Sequence, residues 1–102
     1  MNLGIVLTNE DHADLVLGLL EAAAARGWQP RCFLSDSGVR LVNHPRLIRF
    51  CLSGHWVALC EMSLERYHIK ASEVLHNIPE IIVGGQYQDA ELVKNSDRVL
   101  VF

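Results

Sequence analysis

Short apolar runs alternate with helix-like segments along the whole chain. Leu3–Leu7 is a continuous run, the mark of a strand buried on both faces. Thr8 and Asn9 then offer N-caps, and Glu10, Asp11 and Asp14 suit the positive end of a helix dipole. Val16, Leu19, Leu20 and Ala23 recur at helical spacing, with Arg26 in the last turn and Gly27 as a stop. Pro30 leads into a second strand, Arg31–Leu34, closed by the turn residues Ser35-Asp36-Ser37-Gly38. Residues 39–53 have the weakest pattern; it reads as a short helix, a break at His44-Pro45 and a further helix over 46–52.

Trp56–Cys60 predicts a third strand and Glu61–His68 a helix that begins at once, with another turn or two over Ala71–His76 before Pro79. Ile81–Val83 reads as a fourth strand ending at Gly84-Gly85, Asp89–Asn95 as a helix, and Val99–Phe102 as a final strand. No linker or repeat interrupts the series, so residues 1–102 are expected to form one domain. Five strands separated by helices predict an α/β fold, an open, mainly parallel five-stranded sheet with helices on both faces. Sites in such folds form outside the carboxyl ends of the strands. That rim holds Thr8, Asn9, Ser35, Asp36, Cys60, Glu61, Gly84, Gly85, Gln86 and Tyr87.

Composition sharpens this picture in three ways. The apolar fraction is roughly 55% when Gly is counted and Tyr is not, against ~45–50% for ordinary domains. Such a surplus in 102 residues predicts a homo-oligomer, with Val39, Leu41, Val42, Leu47, Ile48 and Phe50 as interface candidates. A net charge of −3 argues against a nucleic-acid partner. No basic, apolar leader and no membrane-length apolar run is present, and the three cysteines are an odd number, so reduced thiols in a cytoplasmic protein are expected.

The rim lacks the chemistry of most α/β sites. The turn after strand one has no glycine and two acids, which would repel a phosphate, and Gly84-Gly85 has no third glycine in register, so no nucleotide cofactor is expected. The five histidines and three cysteines show no metal-binding spacing, and no metal is expected. A phosphoacceptor domain would end its third strand in aspartate, and here that residue is Cys60. Cys60 and Arg66 match C-x5-R, but the segment between them has no glycine, carries two acids and reads as plain helix.

Cys60 itself closes an apolar strand and precedes a helix whose first N–H groups favour a thiolate, while Glu61 and Asp36 oppose it. Sequence leaves it open between a reactive thiol and a small core residue. Cys32, within a strand, and Cys51, on an apolar segment, read as core thiols.

The chain resembles the DsrE/DsrF-like sulfur-relay family in four places. Phe33-Leu34-Ser35-Asp36-Ser37-Gly38-Val39 is similar to that family's apolar strand and Asp-Gly-Val turn, with one extra residue between Asp36 and Gly38. Cys60-x-x-Ser63 with Arg66 and Ile69 follows its third strand, although Tyr67-His68 replaces an Arg-Gly step often found there. Val83-Gly84-Gly85 and Ser96–Phe102 match its fourth strand end and closing strand. The resemblance implies a flavodoxin-like domain that assembles into trimers or hexamers. It also implies that Cys60 carries sulfur as a persulfide between donor and acceptor proteins. Asp36, His55, Ser63, Gly84 and Gly85 are the candidates to shape its pocket. The competing expectation is a non-catalytic oligomeric relative that binds a partner or small ligand at the same rim.

Overall fold

The computed structural model describes residues 1–102. Its centre is an all-parallel five-stranded sheet in the order β4-β3-β2-β1-β5, formed by β1 (Asn2–Leu7), β2 (Gln29–Leu34), β3 (Trp56–Cys60), β4 (Ile82–Gly84) and β5 (Arg98–Val101). The layers are those of a flavodoxin-like α/β fold, although the flavodoxin strand order is 2-1-3-4-5.

From β1 to β4 the chain steps steadily in one direction across the sheet. Right-handed crossovers therefore place every connection on one face. These connections are a 3₁₀ turn at Glu10–His12 with α1 (Ala13–Ala25), a 3₁₀ segment Asp36–Asn43 with α2 (Pro45–Leu52), and α3 (Glu61–Arg66) with α4 (Ala71–Asn77). Only α5 (Gln86–Lys94) crosses the other face, carrying the chain back to set β5 beside β1.

The core is divided accordingly. On the thick face Ile5, Leu7, Cys32, Leu34, Val57 and Leu59 meet Val16, Leu17, Leu20, Val39, Leu47, Leu64 and Ile78. The thin face holds a small cluster of Val6, Phe33 and Ala58 under Leu92 of α5. Residues 39–53 resolve into the 3₁₀ segment and α2, divided at His44-Pro45, with the His44 side chain accepting from the Arg46 N–H at 3.1 Å. Five of the six expected interface residues, Val39, Leu41, Val42, Leu47 and Phe50, are buried, and Ile48 is half-buried. That segment covers its own sheet because the thick face of β2 and β3 has no other roof.

Pro30 lies inside β2, a central strand. Gln29 donates to the Met1 carbonyl at 2.8 Å, so by alternation Pro30 faces β3, where pairing starts only at Arg31. Its missing N–H breaks no ladder bond.

Candidate functional site

Cys60 is the last residue of β3 and pairs with Gly84, the last residue of β4. The connections leaving these two neighbouring strands part to opposite faces, α3 to the thick face and α5 to the thin one. This is the switch point of the sheet, the place where open α/β folds form their sites. The Cys60 side chain, half-buried, lies on the thin face against the cluster of Val6, Phe33, Ala58 and Leu92.

The two other thiols are fully buried. Burial pushes Cys32 up to about 12, and burial followed by the nearby Glu80 carboxylate raises Cys51. Cys60 is therefore the one thiol that solvent-borne reagents reach.

Asp36 begins the connection after β2 in a left-handed conformation, φ 47°. Its N–H donates to Ser63 Oγ at 2.9 Å and its carboxylate accepts from Arg66 at 3.0 Å. Ser63 is the one buried polar side chain, and its hydroxyl is satisfied by this bond. Further ties run sideways. The Glu10 N–H donates to Ser37 Oγ at 2.9 Å, and Arg40 pairs with Glu10 at 3.1 Å while lying 4.7 Å over the Tyr67 ring. The loops after β1, β2 and β3 are thus laced together beside Cys60. Gly84 and Gly85 serve a different end. The Gly85 N–H donates to Gln88 Oε1 at 2.8 Å, and the Gln88 side chain lies where a Cβ on Gly84 would be. The glycine pair admits the cap of α5.

His55 is not part of this assembly. It precedes β3 at the opposite end of the sheet, about 16 Å from Cys60 at ~3.3 Å per residue, and stacks on Phe50 at 4.3 Å. The C-x5-R segment is a strand end and a helix, with no loop to wrap an oxyanion; Arg66 turns to Asp36 instead. Arg66, Tyr67 and Gln88 were not expected at the rim. Arg66 was singled out by spacing and resemblance, but no local pattern reveals its partner Asp36 or the Arg40 partner of Tyr67, which lie about 30 residues away in sequence. Gln88 carried a signal, as the third residue after a glycine N-cap.

The surface hollows lie elsewhere: about Val42, His68 and Glu73; about Trp28, His55 and Trp56; and about Glu10, Arg40 and His44. No three His, Cys, Asp or Glu side chains converge as a metal would require, and no helix is long and apolar enough to cross a membrane.

No family model and no curated protein matches the chain. Among solved structures it is similar to a conserved protein of unknown function from Bacteroides thetaiotaomicron, with TM-score 0.72 and 22% identity over 99% of this chain and 94% of that one. The likeness establishes the fold.

Proposed function

We propose that the protein is a DsrE/DsrF-like sulfur carrier, a sulfurtransferase-like protein in which Cys60 holds sulfane sulfur as a persulfide. The observation that carries this reading is the placement of its thiols. Two are sealed in the core, and the third stands at the switch point of the sheet. The loop after α3 adds support: His68 has φ 58°, a glycine-like conformation where the resembled family often has glycine.

In the loading step the Cys60 thiolate attacks the outer sulfur of a donor persulfide. An S–S bond forms on Cys60, the donor's S–S bond breaks, and the donor leaves as a thiolate. The acceptor's thiolate then attacks the outer sulfur on Cys60, and Cys60 leaves as thiolate; no net oxidation occurs. Asp36, Ser63 and Arg66 hold both ends of the short α3 against the β2 loop and so steady Cys60. By the same resemblance the chain works as a homo-oligomer, and its three unpaired thiols fit a cytoplasmic setting.

Intact-mass spectrometry after exposure to a persulfide donor tests the reading. The reduced protein gains the mass of one or more sulfur atoms at Cys60, and Cys60→Ser abolishes the gain. Loading that persists in Cys60→Ser, or that maps to Cys32, refutes it. No loading with any donor favours the non-catalytic, rim-binding relative.

A further inference from the structure

Resting on the reading of Cys60 as the working thiol, we propose that its rim docks a separate protein with a basic surface. The contact would be an apolar centre on Met62 and Tyr87 ringed by carboxylates. These are the two most exposed large apolar side chains of the chain, at 78% and 71%. Each sits in the first turn of a helix leaving the switch point, Met62 in α3 after Cys60 and Tyr87 in α5 after Gly84. Large exposed apolar groups on both sides of a reactive residue offer the apolar part of a contact surface.

The charge around them selects the partner. Asp11, Asp14, Glu61, Glu65 and Asp89 belong to the segments leaving the carboxyl ends of the strands, and none has an ion-pair partner. Of the cations there, Arg40 and Arg66 are engaged by Glu10 and Asp36, and Lys70, beyond α3, is unpaired. At the amino end the balance reverses, with Arg26, Arg31, Arg49, Lys94 and Arg98 unpaired against the unpaired Glu80, Glu91 and Asp97. The chain is polarised along its strands, with its negative end around Cys60. Such a field repels nucleic acid and anionic lipid, and steers a cationic protein surface toward the rim. Cys60 lines none of the surface hollows, so the partner brings its sulfur to an open face.

Two short synthetic peptides serve as probes, each with one cysteine activated as a 2-pyridyl disulfide beside leucine, one flanked by lysines and one by glutamates. The Cys60 thiolate attacks the peptide sulfur, a protein–peptide disulfide forms and 2-thiopyridone is released, which reports the rate. The lysine peptide should react about tenfold faster or more. The advantage should collapse between about 0.01 and 0.5 M salt, as the screening length falls from ~30 Å to a few ångström. Glu61→Gln/Glu65→Gln/Asp89→Asn should bring the ratio toward one, and Met62→Ser or Tyr87→Ser should slow both peptides. Equal rates, or a preference indifferent to salt and to the triple variant, overturn the proposal while leaving Cys60 as the working thiol. If Cys60 reacts with neither peptide, the sulfur-carrier reading fails. Anisotropy of the same peptides with alanine for cysteine, on Cys60→Ser protein, then decides the docking surface by itself: salt-sensitive binding of the lysine peptide alone supports it, and no difference overturns it. Self-association through this rim, abolished by the triple variant, would assign the surface to a second copy and also overturn the proposal.

Discussion

At Gly38 an added Cβ would run into the carbonyl oxygen of Leu7, a backbone atom that cannot step aside. Gly18, in the middle of α1, has nothing within 4 Å of that position. The two alanine variants should therefore move in opposite directions. Gly18→Ala should raise stability by about 0.5–1 kcal/mol through helix propensity, and Gly38→Ala should lower it by ~2 kcal/mol or more as the rim shifts off β1. Urea melts of the two variants check the sign. The thiols separate in the same way. Cys60 should take up an alkylating reagent near neutral pH while Cys32 and Cys51 are spared in the folded protein, which peptide mapping reads directly; equal labelling of all three would contradict the burial. Cys32 also makes stability depend on pH. Its folded value is raised to about 12 from 9.0, so the folded state keeps a proton that the unfolded chain releases. Its contribution is complete below about pH 9 and is lost as pH climbs toward 12. Cys32→Ala should melt less stably at neutral pH yet lack that part of the alkaline decline.

The helices show what local pattern reveals and what it leaves out. Helical spacing along α1 selected Val16, Leu20 and Ala23, all buried, but it chose Leu19 where Leu17 fills the core and Leu19 is only half-buried. Adjacent leucines at 15, 17, 19 and 20 blur the stripe, and only the packed sheet decides among them. The existence of the five strands was legible because parallel strands are apolar runs, continuous in the well-buried β1 and β3, whereas their ends drifted by about one or two residues and their order in the sheet was not read. The start of α5 lies three residues before its expected position, because Gln88 caps it where no Ser, Thr or Asp stands. At the site, Cys60 and Asp36 were readable from a strand end and a turn and Ser63 from the family resemblance, but the contacts that join these loops cross about 27–30 residues and no window spans them. Those contacts differ in worth. Ser63→Ala removes the acceptor of a part-buried N–H and should cost about 1–3 kcal/mol. Arg66→Ala opens an exposed ion pair and should cost under ~1 kcal/mol. Denaturant midpoints should rank them in that order, and the reverse ranking would mean that the ion pair holds the loop.

Over the whole molecule the two faces of the sheet are unequally covered, and the imbalance bears on assembly. The residues first expected at an interface are the roof of the thick face, so they do not form an exposed apolar patch. Exposed apolar side chains remain on the helices of both faces, and the thin face is the less covered, with one nine-residue helix over a five-stranded sheet. Trp56 and Ile82 are half-buried beside it. On the edge strand β5, Leu100 is 40% and Val101 65% exposed, next to a row of backbone groups with no further strand to pair. A bare apolar edge is a template for another chain, and a lysine on such a strand blocks pairing at little cost to the fold. Light scattering at micromolar concentration should therefore give a mass that is a multiple of 11.5 kDa, a trimer or hexamer by the family resemblance. Val101→Lys should reduce it to the single-chain mass while leaving the unfolding midpoint of the monomer within about 0.5 kcal/mol, since the residue is exposed. A wild-type chain that elutes as a monomer would refute assembly. An oligomer untouched by Val101→Lys would move the interface away from β5.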